Sequence, residues 1–185
     1  MILHPHKIIF AGSMGAGKSA AIQSLSDIPV FSTEAINTDH ERHNKMFTTV
    51  GIDYGEITLD NDIKVGLYGT PGQERFDFIW STISQGALGT IILIDHSAEN
   101  PLRDIDFYYK KFIKTNSNLV FAITHIDEKS KIHTSQYREW IAQHEQKYPL
   151  YFIDARKPED ILLLIDTLLS QSEISLSLSG HIKHA

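Results

Sequence analysis

The eight residues Gly12-Ser13-Met14-Gly15-Ala16-Gly17-Lys18-Ser19 constrain the fold of this chain more than any other stretch. They satisfy G-x-x-x-x-G-K-[ST] at every fixed position, a match expected by chance in roughly one chain in a hundred of this length when Gly is near 7% of residues. Context strengthens the match. An apolar run, Lys7–Ala11, leads into the loop, and a segment of helical periodicity, Lys18–Ser26, follows it, so the glycines sit at a strand-to-helix turn. Glycine dihedrals at such a turn bring successive backbone N–H groups inward, and the helix N-terminus adds the positive end of its dipole. That combination cradles phosphate oxygens. Lys18 then reaches the β- and γ-phosphates of a nucleoside triphosphate as a point charge, and the Ser19 hydroxyl is placed to ligate Mg²⁺.

Beyond the loop, short apolar runs recur at Ile57–Leu59, Val65–Tyr68, Thr90–Asp95, Leu119–Thr124 and Tyr151–Asp154, alternating with helical segments at Pro101–Lys114, Ser135–Lys147 and Pro158–Ser170. Six strands are expected. Strand–helix alternation implies an α/β domain with a mostly parallel sheet and helices on both faces. Gly55–Asp60 and Ile63–Gly69 break the alternation: only Asp60-Asn61-Asp62 separates them, which implies a β-hairpin and one antiparallel edge strand. The polar run Asn37–Lys45 lacks any hydrophobic period and lies in a long connection, of the kind that is more often functional or mobile than idle.

At 185 residues a single domain is expected, assigned to 1–171, with 172–185 as a C-terminal tail. Ser alternates there with Ile174, Leu176 and Leu178, so the tail is expected to be disordered or to add an edge strand. Charge excludes several classes of function. With 17 Lys+Arg against 23 Asp+Glu the net charge is −6, which argues against sequence-independent nucleic-acid binding and against a polybasic membrane contact. No Cys is present, which removes disulfides, thiolate metal sites and prenyl or palmitoyl attachment, and Ile2 excludes myristoylation. Cytoplasmic residence without a direct membrane anchor is the expectation.

Four further segments decide which class of phosphate-loop protein this is. They are Thr48-Thr49-Val50-Gly51-Ile52-Asp53-Tyr54, Gly69-Thr70-Pro71-Gly72-Gln73-Glu74-Arg75-Phe76, Thr124-His125-Ile126-Asp127 and Asp154-Ala155-Arg156-Lys157. In this order with the loop, they resemble the nucleotide-binding motifs of the Ras-like small GTPases over roughly residues 7–170. Thr49–Tyr54 resembles the first switch of Rab-type members and Gly72–Phe76 the second, while Tyr-Gly-Thr-Pro-Gly-Gln is more similar to prokaryotic relatives of the MglA and conservon types. The resemblance implies a GTP-binding switch with Mg²⁺ that meets regulators and effectors through its switch loops, a roadblock-type protein among them. It further implies that Thr49 contacts Mg²⁺ and the γ-phosphate, that the Gly72 N–H meets that phosphate, and that Gln73 orients the attacking water. Asp127 is expected to select guanine, because a carboxylate accepts from N1–H and the 2-amino group, whereas adenine offers a bare N1 acceptor. The resemblance implies as well that Ala155 presents its N–H to the guanine O6 atom.

Three positions depart from the family pattern. Gly69 stands where an Asp steadies Mg²⁺ through a coordinated water, a loss expected to weaken metal retention, since such outer partners matter by about 10- to 100-fold. Thr124 replaces the usual Asn, and His125 the usual Lys, so an imidazole face is expected to stack on the base. No arginine precedes Thr49, and neither Arg42 nor Arg75 is expected to serve as a built-in arginine finger, a device that contributes about 10³–10⁵ in rate. Slow hydrolysis under partner control follows as the expectation. The alternatives are a guanine-nucleotide-dependent interaction module with negligible hydrolysis and a P-loop kinase or ATPase. Asp95, closing the fourth apolar run, is assigned a structural role, and most of the ten histidines an exposed surface one.

Overall fold

The computed structural model describes residues 6–32, 51–59 and 62–181. Within them the order is β1 (His6–Ala11), α1 (Lys18–Leu25), β2 (Phe31–Ser32), β3 (Asp53–Leu59), β4 (Ile63–Gly69), a 3-10 turn at Glu74–Phe76, α2 (Asp77–Ser84), β5 (Gly89–Asp95), α3 (Pro101–Phe112), β6 (Leu119–Thr124), α4 (Ser135–Ala142), β7 (Leu150–Phe152) and α5 (Pro158–His181). The strands form one sheet in the order β2-β3-β4-β1-β5-β6-β7. All neighbouring pairs from β4 to β7 are parallel, whereas β3 runs antiparallel to both β2 and β4.

Period-two alternation along the central strands sends side chains into two separate cores. Ile8, Phe10, Ile91, Leu93, Val120 and Ala122 meet Ile22 of α1 and Ile161, Leu164 and Leu168 of α5. Their neighbours Ile9, Ile92, Ile94, Phe121 and Ile123 face the opposite layer, where Trp80 of α2, Ile105, Tyr108 and Phe112 of α3, and Tyr137 and Trp140 of α4 pack. Both faces are thus covered. Strands buried on two sides have no polar face to show, which is why they appear in the sequence as unbroken apolar runs.

The expected α/β class is what forms, with several corrections. Among the described residues the sheet has seven strands instead of six, because Phe31–Ser32 adds a two-residue strand outside β3. The antiparallel strand is therefore one place in from the edge. Two residues give no period from which a strand could be read. Helix α2 was not expected either; Phe78, Ile79, Trp80 and Ile83 crowd its eight residues, too densely apolar to show one face. At the C-terminus α5 runs on to His181, so residues 172–181 lengthen a helix and do not add an edge strand. Pro158 with Glu159 and Asp160 in the first turn starts that helix well, and each further residue gains a backbone hydrogen bond once it is nucleated. The polar run Asn37–Lys45 lies outside the described residues.

Candidate functional site

Strand order reverses about β1, whose neighbours β4 and β5 follow it in the chain, so the loops leaving the carboxyl ends of β1, β4 and β6 open into one crevice. Residues Gly12–Ser19 occupy its floor. Gly12 has φ +144°, and a Cβ there would lie 2.2 Å from the Leu93 carbonyl oxygen, so glycine alone fits. Gly17 caps α1 in the left-handed region without any side-chain cap bond, which leaves the N–H groups of the helix start uncontested by a side chain. Lys18 is buried. Its Nζ donates to the carbonyl oxygens of Gly12 at 2.8 Å and Ser13 at 2.6 Å, which uses two of three ammonium protons. Burial pushes its pKa from the ordinary 10.5 down to about 8, against the opposing pull of the Asp53 carboxylate.

A cavity of about 270 Å³ lies over this floor, lined among others by Lys18, Ser19, Gly51, Asp53, Thr70 and Gly72. Gly72 closes tightly on the loop: a Cβ there would sit 2.5 Å from the Met14 nitrogen. The approach is held from the aromatic core, where the Trp80 indole N–H donates to the Pro71 carbonyl at 3.2 Å and the Tyr108 hydroxyl to the Gly72 carbonyl at 3.4 Å. Ser19 Oγ donates to Asp53 Oδ2. Thr70 is buried, yet its hydroxyl has no hydrogen-bond partner among the described residues. Gln73 is exposed at the entry to the 3-10 turn, its carbonyl accepting from the Phe76 N–H at 3.1 Å. Arg75 is turned onto the Phe76 ring, 4.9 Å from its centroid. Thr49 lies outside the described residues.

A second cavity of about 710 Å³ adjoins the first, and Gly15, Gly17 and Ala20 line both. Thr124, His125, Asp127, Ala155 and Arg156 form much of its wall. Thr124 Oγ1 lies 3.1 Å from the Ala16 carbonyl, 3.3 Å from the Ile94 carbonyl and 3.0 Å from His125 Nδ1. This buried hydroxyl ties the end of β6 to the phosphate-binding loop. His125 adopts φ +52°, and its Nδ1 also lies 3.3 Å from Asp95 Oδ1. Asp95 in turn accepts from the Ser97 N–H at 2.8 Å and the Ser97 hydroxyl at 2.7 Å. The Asp127 carboxylate is exposed to the cavity, and Ala155 is buried against Gly17, where an added Cβ would meet its own at 2.9 Å.

Two features escaped the sequence reading. Arg156 donates to Asp154 through Nε at 2.8 Å and through a terminal nitrogen at 2.7 Å; that pairing holds the Asp154 carboxyl well below the usual carboxylate range. Nothing in the spacing of Asp154-Ala155-Arg156-Lys157 announces a side-chain fork. Asp53 is the other. Its signal was present: eight residues out on either side of Asn61, the centre of the expected hairpin turn, lie Asp53 and Gly69, and the strands pair in that register.

Fold and site together define a P-loop nucleotide-binding protein of α/β architecture, with two cavities that share one wall at Gly15, Gly17 and Ala20. The chain belongs to the family described as conserved hypothetical ATP binding protein, whose model matches residues 29–177. The phosphate-binding loop itself precedes that span. The chain is also similar to Ras-related protein Rab-1 of Theileria annulata, 35% identical over 113 residues covering 55% of this chain and 46% of that protein. It is 26% identical to Ras-related protein Rab-11B of Dictyostelium discoideum over 80% of this chain and 64% of the relative, and 25% identical to Ras-related protein SEC4 of Saccharomyces cerevisiae over 88% and 72%. It thus spans about half the length of the first of these relatives.

Proposed function

We propose that this protein is a guanine-nucleotide-binding switch that hydrolyses GTP slowly and is governed by a partner. The observation that carries this is the shared wall at Gly15, Gly17 and Ala20, which makes the two cavities one cleft for a single elongated ligand. Phosphates would lie at Lys18 and the backbone of Gly12–Ser19, and the base beside Asp127 and Ala155. Mg²⁺ suits the donors present: Ser19 and Asp53 offer hard oxygens, and among the described residues no cluster of three or more His, Asp or Glu competes as a metal cage. When bound, the ion would neutralise charge developing on the transferred phosphoryl group.

Guanine rather than adenine is favoured by the Asp127 carboxylate, although the family description names ATP. Competition against labelled GDP decides between them. GTP is expected to displace the label far better than ATP, and Asp127→Ala to weaken GDP binding by about 100-fold or more, since two hydrogen bonds to a charged acceptor are lost. Equal displacement by ATP would overturn the assignment.

Supporting partner control, Gln73 is exposed, Arg75 is occupied with Phe76, and Phe78 is 65% exposed at the start of α2 beside them. A regulator covering that face would supply the missing transition-state charge. Single-turnover hydrolysis of GTP with Mg²⁺, alone and with a candidate partner, tests this; absence of phosphate release in both would favour the interaction module instead. Placement near prokaryotic MglA-type proteins, and a roadblock-type partner, rest on the segment Tyr68–Gln73 alone. Cytoplasmic residence is likewise part of this proposal; among the described residues no helix is long and apolar enough to cross a membrane.

A further inference from the structure

We propose that His125 is a positioning residue for the nucleotide cleft: its Nδ1–H directs the Thr124 hydroxyl proton onto the phosphate-binding loop. The role rests on the guanine-nucleotide reading above and is separate from any stacking of the imidazole on a base.

The ends of β5 and β6 set the geometry. Asp95 and Thr124 are register partners across these two strands, and His125 follows at once with φ +52°, a left-handed conformation that His, Asn and Asp adopt more readily than most residues. The ring comes to rest against both strand ends. Its Nδ1 lies 3.0 Å from Thr124 Oγ1 and 3.3 Å from Asp95 Oδ1. Ser97 holds that carboxylate in place through its N–H and its hydroxyl.

The number of protons available assigns the tautomer. Thr124 Oγ1 is buried among three possible partners, the Ala16 and Ile94 carbonyl oxygens and His125 Nδ1, and it has one proton to give. Both carbonyls only accept. Were Nδ1 bare, that single proton would face three acceptors, and the Nδ1 lone pair would also lie against a carboxylate oxygen. With the proton on Nδ1 the groups match. Nδ1–H donates to Thr124 Oγ1 beside the attracting Asp95 charge, and Thr124 donates to the main chain, where Ala16 of the loop is the nearer acceptor at 3.1 Å. The opposite tautomer would draw the Thr124 proton to the ring and away from the loop. Which ring nitrogen is protonated thus decides whether the end of β6 is tied to the loop that cradles phosphate.

Two measurements on the full chain test this. Long-range proton–nitrogen correlation spectra of the isotope-labelled protein at about pH 8.5, above the ordinary imidazole range, report which ring nitrogen of His125 is protonated, with no nucleotide needed. Nδ1–H is the expected result, and an Nε2–H tautomer would overturn the proposal. The second measurement is equilibrium binding of a fluorescent GDP analogue. His125→Asn keeps a donor where Nδ1 stands, His125→Asp puts an acceptor there, and both suit the left-handed backbone. His125→Asn should hold affinity within about threefold of the parent, whereas His125→Asp should lose about tenfold or more. Combined with Thr124→Val, which removes the hydroxyl to be directed, the two substitutions should differ by less than about twofold. A ring that served only by stacking would make His125→Asn as weak as His125→Asp, and a bare charge effect would leave their difference intact alongside Thr124→Val; either result sinks the inference. If the variants do not fold, the spectrum of the parent decides alone. A parent that shows the Nδ1–H tautomer yet binds no GDP would overturn the nucleotide reading, and the positioning role with it.

Discussion

Lys18 is buried, held by the carbonyl oxygens of Gly12 and Ser13, and its pKa is lowered by that burial to about 8. A phosphate anion beside it would favour the charged form and raise the pKa again, so nucleotide binding above pH 8 must take up a proton. Affinity for GDP should accordingly be level below about pH 8 and fall tenfold per pH unit above it, until the bound-state pKa is passed. Titration calorimetry in two buffers of different ionisation enthalpy checks the proton uptake directly, and a flat profile from pH 7 to 10 would contradict it. Stability of the ligand-free protein moves the other way. The unfolded chain holds the Lys18 proton up to 10.5, so between about pH 8 and 10.5 it binds more protons than the native state, and this lysine's contribution becomes more favourable as pH rises through that window. His96 shows how far a single residue can depart from its surroundings in sequence: it is buried, with Nδ1 3.1 Å from the Tyr137 hydroxyl, and burial lowers its pKa. His96-Ser97 follows an apolar run, yet nothing in that run indicates that Tyr137, on α4, will cover the ring.

Among elements, the join between β6 and the phosphate-binding loop is the one most exposed to a small chemical change. Thr124→Val preserves shape but removes the hydroxyl that reaches the Ala16 carbonyl, so a buried acceptor loses a partner at a cost of about 1–3 kcal/mol. Because the base wall and the phosphate loop meet through that contact, the substitution is expected to weaken GDP affinity by about tenfold although Thr124 is not expected to touch phosphate. Equilibrium binding with a fluorescent nucleotide measures it; unchanged affinity would show that the two walls are positioned independently. The loop, the central strands and the hairpin were legible in the sequence because each leaves a local signature: fixed glycine spacing, unbroken apolar runs, and an Asp-Asn-Asp turn. Asp53 was legible in principle through the hairpin register. Phe31–Ser32 and α2 were not, since a two-residue strand has no period and α2 is apolar on too many sides. His125 at φ +52° and the Asp154–Arg156 fork depend on tertiary neighbours and leave no local trace.

For the molecule as a whole, the cleft draws its walls from the loops after β1, β4, β6 and β7, so a nucleotide there would bridge both halves of the sheet. Ligand bound only by the folded state stabilises it by about 2.7 kcal/mol at a concentration 100 times its Kd. In a domain of 185 residues, each kcal/mol is worth roughly 2–4 °C, which predicts a rise in Tm of about 5–11 °C on adding GDP with Mg²⁺. Two substitutions separate site from scaffold. Asn100 caps α3, its side chain accepting from the Arg103 N–H at 3.2 Å, and it lines neither cavity. Asn100→Ala should lower Tm by about 2–4 °C, from a loss of about 1 kcal/mol, and leave the nucleotide-induced rise intact. Lys18→Ala should do the reverse: it removes a buried charge whose desolvation costs stability, so baseline Tm should hold or increase while the GDP-induced rise disappears. Thermal unfolding of the three proteins, each with and without GDP and Mg²⁺, reads both effects in one experiment. A GDP shift that survives Lys18→Ala would place the nucleotide somewhere other than the loop that defines this chain.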